Sequence, residues 1–272
     1  MTDARTLDSA ALLATAVTIA RDAGALVKMR RAEGVEVAAS KSSLEDVVTF
    51  ADRESEALIR AAIKSARPED GFFGEESGAE GGTSGLTWVV DPIDGTVNYL
   101  YGFPHYAISI AVVEGEPDPN TWHPVAAVVF NPASGELYTA TDGGGAFLDG
   151  VPISVASEVQ FSQALIGTGF SYSSEARVKQ AAVIGGLLGE IRDIRRMGTA
   201  SLDLCAVATG RLNAYFERGL QPWDHAAGAL IAREAGAHVG GLNGAPASAE
   251  FILAAQPELA AILEEKLLVL GV

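Results

Sequence analysis

The chain has 272 residues, of which 48% are hydrophobic and 20% charged, a globular composition that excludes an intrinsically disordered protein. The formal net charge of −16 argues against nucleic acid or an anionic membrane surface as the main partner, because like charges repel. The single cysteine, Cys205, excludes an intramolecular disulfide and fits a reducing cytoplasm.

The first half of the chain combines two helices with a series of short strands. Apolar positions at helical spacing predict a helix over 9–31, and a second helix is predicted over 49–66, before Pro68. The first helix lacks the basic leader and cleavage site of a signal peptide, and no run reaches the roughly 20 apolar residues of a membrane span. Strands are predicted at 35–37, 88–90, 107–113, 125–130, 136–141 and 145–148, the last four as an antiparallel meander.

The pattern changes near residue 150, where strands begin to alternate with helices in α/β fashion. Strands are predicted at 165–169, 193–196, 214–217 and 251–254, and helices at 175–191, 199–209, 224–235 and 257–269. We therefore expect an N-terminal α+β half over 1–150 and a C-terminal α/β half over 151–272, with no disordered linker between them.

The strongest chemical signal is DPIDGT at 91–96, directly after the strand predicted at 88–90. Proline fixes φ and glycine relieves steric limits, so the chain can turn and aim both Asp91 and Asp94 into one pocket. Hard carboxylate oxygens suit Mg²⁺, and carboxylates shared between two ions suit phosphoryl transfer. Either aspartate alone would fit an ordinary strand-ending turn.

Two further segments supply acidic residues. GEESG at 74–78 follows a short apolar strand and enters a glycine-rich loop, which alone would fit a solvated acidic loop. Asp224 follows Trp223 at the start of a helix, where it could be an ordinary N-cap or a metal ligand held rigidly by that helix. The three segments together are far more specific than any one of them.

The combined pattern resembles the inositol monophosphatase family of Mg²⁺-dependent, Li⁺-sensitive phosphatases, in its bacterial inositol-1-monophosphatase form. The resemblance spans nearly the whole chain and rests on five segments: KSSLEDVVTFAD at 41–52, GEES at 74–77, WVVDPIDGTVNYLYGFP at 88–104, MGTASLDLCAVATGRLNAYFERG at 197–219 and WDHAAGALIAREAG at 223–236. It implies a layered α-β-α-β-α sandwich, with an antiparallel sheet in the N-terminal half and a mixed sheet in the C-terminal half. It also implies a cytoplasmic homodimer.

The resemblance implies a site for two to three Mg²⁺ ions per subunit. The ligands would be the side chains of four acids and one backbone carbonyl: Glu75, Asp91, Asp94, Asp224 and the carbonyl of Ile93. The N-terminal half would then hold the metal and phosphate site, and the C-terminal half would add substrate contacts and one metal ligand.

Asp52 and Thr96 resemble the family's pair that orients the attacking water, together with Glu75. Thr49 and Asp52 also fit a helix capping box, and the two roles could coexist. Thr96 could likewise be a helix N-cap, and the amides of Gly95 and Thr96 would cradle the phosphate. Lys41 and Asp46 match positions near the family's entry loop, and we assign Lys41 no catalytic role.

Substrate contacts are expected from Asp94, Asp224 and two positions in the C-terminal half. Ala200 matches a position whose backbone meets the inositol ring, and Glu217 matches a ring-hydroxyl acceptor. Glu217 beside Arg218 could instead form a surface ion pair, which would contribute little. Cys205 is expected in the core, and the four histidines are too scattered along the chain to predict a metal set.

These features predict direct, one-step hydrolysis of a small phosphate monoester, first of all myo-inositol 1-phosphate. Histidinol phosphate is the main alternative, because Glu217 could bind an ammonium group as readily as hydroxyls. Sugar or nucleotide phosphates of the same superfamily are further alternatives. A different class is a regulatory binding protein of the transcription machinery, with Arg195 and Arg196 on its surface.

Overall fold

The computed structural model describes residues 8–40 and 47–272. Lys41 and Asp46 lie outside these residues. Two helices open the described chain, α1 (Ser9–Glu33) and α2 (Phe50–Ala66), joined through a small antiparallel pair, β1 (Val37–Ser40) with β2 (Val47–Thr49). Asp8 caps α1, since its Oδ1 accepts a hydrogen bond of 3.0 Å from the backbone of Ala11.

The helix α1 has the length and composition of a membrane span, with a mean hydropathy of 1.5 over its most apolar window. The sequence analysis counted uninterrupted apolar runs, and α1 contains none of about 20 residues, because Thr15 and Thr18 interrupt the stretch and Arg21 follows it. The two threonine hydroxyls donate to backbone carbonyls one turn earlier, which removes their polarity from the helix surface. Apolar side chains of α1, among them Ile19 and Val27, pack in a core shared with α2 and the adjacent sheet.

The main sheet has eight strands in the order β10-β9-β8-β7-β6-β5-β3-β4. Its strands are β3 (Gly71–Gly74), β4 (Gly78–Glu80), β5 (Leu86–Asp94), β6 (Ala107–Glu114), β7 (His123–Phe130), β8 (Leu137–Thr141), β9 (Gly145–Leu148) and β10 (Val151–Pro152). The meander from β6 to β9 is antiparallel as predicted, and β5 also pairs antiparallel with β6. One pair differs, since β3 and β5 run parallel.

The second sheet has five strands in the order β12-β11-β13-β15-β14 and is mixed, as predicted. Its strands are β11 (Leu165–Thr168), β12 (Asp193–Arg195), β13 (Ala214–Glu217), β14 (His238–Gly240) and β15 (Ile252–Ala255). The remaining helices are α3 (Thr96–Tyr101), α4 (Ser174–Leu187), α5 (Ala200–Ala208), α6 (Pro222–Glu234) and α7 (Pro257–Val269).

Alternation along the strands divides the core into layers. In β5, Trp88 and Val90 face the α1–α2 layer, whereas Val89 faces α5 and α6 on the other side. The opposite side of α5 and α6 packs on the second sheet, for example through Leu204, and α4 and α7 cover the far side of that sheet. The architecture is therefore the predicted α-β-α-β-α sandwich.

The first sheet ends at β10 and the second begins at β11, so the change of sheet falls close to residue 150. The helices α5 and α6 follow β11 in the chain, yet they pack against both sheets. The division into halves at 1–150 and 151–272 stays a prediction.

Candidate active site

The DPIDGT segment forms the end of β5 and the turn into α3. Asp91 of β5 pairs with Ser109 of β6, and Asp94 pairs with Ala107. The chain therefore advances three residues along β5 where it advances only two along β6. This β-bulge redirects the chain just where the two aspartates lie. The bulge is fixed locally, because Asp91 Oδ1 accepts a hydrogen bond of 3.0 Å from the backbone of Ile93.

Gly95 completes the turn with a φ of +90°, a conformation that L side chains rarely adopt. A Cβ at this position would also overlap the hydroxyl of Thr199, in the segment before α5. Gly95 occupies the N-cap position of α3 and Thr96 is the first helical residue. The suggestion that Thr96 is the N-cap was therefore wrong. Its hydroxyl bonds groups outside α3 and does not cap the helix.

The hydroxyl of Thr96 joins the turn to α2. It lies 3.1 Å from Asp52 Oδ1, to which it can donate, and 3.1 Å from the carbonyl oxygen of Ile93. Asp52 Oδ2 accepts from the backbone of Thr49 at 2.8 Å, which completes the predicted capping box. Asp52 thus holds α2 and Thr96 with different oxygens. A second bond links the same elements, from Ser55 Oγ to the carbonyl of Pro92 at 3.1 Å.

Glu75 comes from the end of β3, beside β5. Its backbone N–H donates to the carbonyl of Val90 at 3.2 Å, and the charge of its side chain acts on Asp91. The next residue is held by α2, because Glu56 Oε2 accepts from the backbone of Glu76 at 2.8 Å. Parallel pairing of β3 with β5 thus brings GEES and DPIDGT side by side.

Two aspartates of the site contact the C-terminal half. Asp94 Oδ2 accepts a hydrogen bond of 2.7 Å from the backbone of Ser201, in the first turn of α5. Asp224 lies in the first turn of α6, and its Oδ2 accepts from the backbone of Gln221 at 2.6 Å. Asp224 is therefore not the N-cap residue itself; it caps the helix from three positions inside and keeps a second oxygen for other partners.

The acidic side chains of the site repel one another. Burial raises the pKa of Asp91 well above its usual range, and the charges of Glu75, Asp94 and Asp224 raise it further. Burial also raises the pKa of Asp94 to about 7, although the hydrogen bond from Ser201 opposes the change. The pKa of Asp224 is also raised well above its usual range, first by burial and then by the charges of Asp94 and Glu75.

This acidic cluster (Glu75, Asp91, Asp94 and Asp224) has the donor chemistry that a hard divalent cation requires. Clustered and buried carboxylates stay ionised only when a positive charge lies among them. Within 8–40 and 47–272, no three Asp, Glu, His or Cys side chains are yet close enough to form a finished metal site. The fit of the acidic cluster to a divalent cation therefore rests on the chemistry of its carboxylate oxygens.

Asp52 has a similar electrostatic environment. Burial raises its pKa to about 7, the bonds from Thr49 lower it, and the charge of Glu75 raises it. Its side chain is 1% exposed. A carboxyl group with a pKa near neutrality can hold or release a proton at working pH, which suits a residue that orients and deprotonates water.

The predicted substrate residues lie on α5 and β13. Ala200 is the first residue of α5, one position before the amide that binds Asp94. Glu217 ends β13, and it accepts a hydrogen bond from the hydroxyl of Tyr215. Burial raises the pKa of Glu217, while Tyr215 and Arg196 lower it. The negative charge of Glu217 in turn raises the pKa of Asp94, which shows that the two carboxylates lie in the same region.

The alternative of a surface ion pair between Glu217 and Arg218 was wrong. The Arg218 guanidinium donates to the carbonyl of Glu250 at 3.2 Å and lies 5.6 Å from the ring centre of Phe251. The Arg218 side chain is thus engaged with Glu250 and Phe251, and the Glu217 carboxylate with Tyr215.

Three polar residues of this region escaped the sequence analysis. Asp203 on α5 is 1% exposed, and its Oδ1 lacks a hydrogen-bond partner among the described residues. Burial raises the pKa of Asp203 well above its usual range, and the charges of Glu217 and Asp94 raise it further. The second is Tyr215, and the third is Asn98 on α3, whose amide donates to the carbonyls of His105 and Met197, each at 2.8 Å. A charged residue on the otherwise uncharged α5 was the available signal for Asp203. Asn98 lies within the segment 88–104 that carries the family resemblance, but the sequence does not show which groups its amide bonds.

The remaining candidates lie apart from this chemistry. Cys205 is buried in the core, as predicted. His225 is buried against Trp122, with ring centres 5.9 Å apart, and burial lowers its pKa to about 4. Arg195 pairs with Asp193 at 2.6 Å and is engaged within its own strand. A cavity of about 740 Å³ lies behind the acidic cluster, between α2 and the β3–β4 hairpin, and is lined in part by Arg60.

Comparisons with known proteins agree with this architecture. The model of the inositol monophosphatase family matches residues 8–268. An inositol-1-monophosphatase from Mycobacterium leprae is 42% identical over 93% of this chain and 92% of its own. The Nus factor SuhB of Escherichia coli is 39% identical over 86% of each chain. The solved structure of Mycobacterium tuberculosis SuhB has a TM-score of 0.81 and 40% identity, covering 97% of this chain and 98% of its own.

Proposed function

Because the chain belongs to the inositol monophosphatase family, whose members are metal-dependent phosphatases of phosphate monoesters, we propose that it is a Mg²⁺-dependent inositol-1-monophosphatase. It would convert myo-inositol 1-phosphate to inositol and phosphate in one displacement by water. The observation that carries this proposal is the acidic cluster: Asp91 and Asp94 are buried at the end of β5, Glu75 and Asp224 are half-buried beside them, and the charges of the other three raise the pKa of Asp91. We further propose a cytoplasmic homodimer.

The acidic cluster and the carbonyl of Ile93 would hold two to three Mg²⁺ ions per subunit. Bound Mg²⁺ supplies Lewis acidity, which makes water a better nucleophile and neutralises phosphate and leaving-group charge. The Thr96 hydroxyl lies 3.1 Å from the carbonyl oxygen of Ile93 but has only one proton to donate. When that proton goes to Asp52, the carbonyl of Ile93 is available to an ion.

The chain's own residues would position the water. The Thr96 hydroxyl donates its proton to Asp52 Oδ1, so it is aligned by Asp52 and can accept a hydrogen bond from the water. Asp52, with a pKa near 7, would take up the proton that the water loses, with Glu75 as the other neighbour of that water. The amides of Gly95 and Thr96 would receive phosphoryl oxygens.

Substrate recognition would come from the C-terminal half. Glu217 would accept hydrogen bonds from ring hydroxyls, and the backbone at Ala200 would pack against the ring. Asp94 and Asp224 would border the substrate site, where their negative charges would repel an anionic group other than the phosphate bound to the metal ions. The same Glu217 carboxylate could receive the ammonium of histidinol phosphate, so that substrate remains the main alternative.

A second candidate function is suggested by the relatives named Nus factor SuhB, which are 38–44% identical to this chain. A role in a transcription complex would add to phosphatase activity, since all four carboxylates of the acidic cluster are present. The pairing of Arg195 with Asp193 leaves less free positive charge on that surface than the sequence suggested.

The test is phosphate release with Mg²⁺ from myo-inositol 1-phosphate, histidinol phosphate, fructose 1,6-bisphosphate and adenosine 3′,5′-bisphosphate. We expect the highest kcat/KM for inositol 1-phosphate and no release after removal of metal with EDTA. A preference for histidinol phosphate would keep the metal site and change the substrate. No release from any of the four, with Mg²⁺ binding shown by calorimetry, would favour the binding-protein function.

A further inference from the structure

Glu217 is held by a neighbour on its own strand. Tyr215 and Glu217 are two positions apart on β13, so their side chains leave the same face of the sheet. The Tyr215 hydroxyl donates to Glu217 Oε2. The side chain of Tyr215 is fully buried in the core between α5 and the second sheet, which prevents the phenol from turning away.

The backbone confines Glu217 on its other side. A Cβ built on Gly169, the residue after β11, would overlap both carboxylate oxygens of Glu217 and the carbon between them. The carboxylate therefore lies directly over the backbone of Gly169. A phenol on one side and a side-chain-free backbone on the other leave the carboxylate one orientation.

This confinement determines which oxygen faces a ligand. An ionised carboxylate offers about four acceptor positions, and the Tyr215 hydroxyl occupies one of them on Oε2. Oε1 keeps its full acceptor capacity. A donor bonded to the carboxylate also favours the ionised form, so Tyr215 keeps Glu217 an acceptor despite its burial.

We propose that Tyr215 is a positioning residue that fixes the Glu217 carboxylate for recognition of substrate hydroxyls, without touching the substrate or the phosphate. This inference rests on the proposed function, because it assigns Glu217 to the ring of the substrate. It separates two tasks: β13 sets the choice of alcohol, and the acidic cluster performs the hydrolysis.

The test is Tyr215→Phe, which removes one oxygen from a fully buried ring. We expect KM for myo-inositol 1-phosphate to rise about fivefold to tenfold, the effect of one lost hydrogen bond. For p-nitrophenyl phosphate, which has no ring hydroxyls, KM and kcat should stay within about twofold of wild type. The matched control is Tyr138→Phe, since Tyr138 is also a buried tyrosine with a hydrogen-bonded hydroxyl, from Arg211 at 2.9 Å. It should change neither substrate's KM.

A double-mutant cycle separates positioning from a general structural effect. If Tyr215 acts through Glu217, the double variant Tyr215→Phe/Glu217→Ala has the same KM for inositol 1-phosphate as Glu217→Ala alone, because alanine leaves Tyr215 no carboxylate to position. Additive effects, or an equal KM increase with p-nitrophenyl phosphate, would overturn the inference. Gly169→Ala, which displaces the same carboxylate, gives a second route if Tyr215→Phe does not fold, and it should produce the same selective loss. If wild type itself shows no preference for inositol 1-phosphate, the proposed function fails instead.

Discussion

The backbone N–H of Ser201 donates a 2.7 Å hydrogen bond to Asp94 Oδ2, although 107 positions separate the two residues. The bond joins the end of β5 to the first turn of α5 and so connects the acidic cluster to the helix that begins at Ala200, a proposed substrate contact. Asp94 therefore has two tasks: one oxygen orders α5, and the other is available to a metal or a ligand.

Asp94→Asn tests the metal assignment. Asparagine keeps an oxygen that can accept from Ser201, so we expect the fold and the melting temperature to be retained. Loss of the negative charge should lower kcat by about 10²-fold or more, because a neutral amide binds a divalent cation much more weakly than a carboxylate does. Steady-state kinetics with Mg²⁺ and circular dichroism measure both effects.

The matched control for that variant is Asp193→Asn, which alters an exposed aspartate paired with Arg195. It should leave kcat unchanged. Near-normal kcat in Asp94→Asn would show that the metal ligands have been wrongly assigned.

The bond between Thr96 and Asp52 predicts a difference between two substitutions at one position. Thr96→Ser keeps the hydroxyl and should retain most of the activity. Thr96→Val keeps the shape and removes the hydroxyl, so we expect kcat to fall about 10²- to 10⁴-fold, the range for a lost acid–base group. The readout is kcat at saturating substrate and Mg²⁺. Equal activities of the two variants would mean that this hydroxyl does not order the water.

Asn98 should couple stability to activity. Its amide donates to the carbonyls of His105 and Met197, which places α3 against the segment leading to α5. Asn98→Ala leaves these carbonyls without that donor and should lower the free energy of unfolding by about 1–3 kcal/mol. Urea denaturation measures the loss, and KM for inositol 1-phosphate should rise with it.

Asn120→Ala is the control for Asn98, because Asn120 is exposed and its amide donates only locally, to Asp118 at 2.8 Å. Its stability should remain within about 0.5 kcal/mol of wild type. A similarly small change in Asn98→Ala would mean that other contacts hold α3 in place.

Asp70 gives a stability prediction that depends on pH. Trp88 Nε1 donates to it at 2.9 Å and Arg67 Nε at 2.8 Å. Burial acts to raise the pKa of Asp70, but the bonds from Arg67 and Trp88 outweigh it and hold that pKa below its usual range. The stabilisation is therefore complete above the unfolded-state pKa of about 3.9 and is lost as pH falls through the lower folded-state value.

Asp70→Asn should accordingly lower the free energy of unfolding by about 1–3 kcal/mol at pH 7. The gap between wild type and variant should narrow below about pH 4, as wild type becomes protonated. Urea unfolding across this pH range measures the gap. A gap that is constant with pH would mean that the charge of Asp70 contributes nothing.

Much of the fold was predictable because apolar residues recur at regular spacings along its helices and strands. The apolar run of β6 is buried on both faces, and the helices α1 and α7 repeat apolar positions at helical spacing. The strands β4 and β14 were missed, since three residues that include glycine carry no usable alternation. The parallel pairing of β3 with β5 depends on long-range packing and leaves no local signal.

The candidate site divides in the same way. Residues such as Asp91 and Asp94 are recognisable because metal chemistry requires several carboxylates within a short segment. Asn98 bonds a carbonyl far away in the chain, which only the fold brings near it, and the bond of Tyr215 to Glu217 depends on both residues lying in a strand. The capping box of Thr49 and Asp52 was readable, yet only the structure shows that the second oxygen of Asp52 bonds Thr96.

The position of α6 between the two sheets has a consequence for synthesis of the chain. This helix carries Asp224, and its apolar residues complete the core behind β5 and β6. A nascent chain that has emerged only as far as β13 contains Glu75, Asp91 and Asp94 but lacks both Asp224 and the helix that completes this core. Truncated translation products would therefore be inert, and hydrolytic activity would report that almost the entire polypeptide has been made and folded.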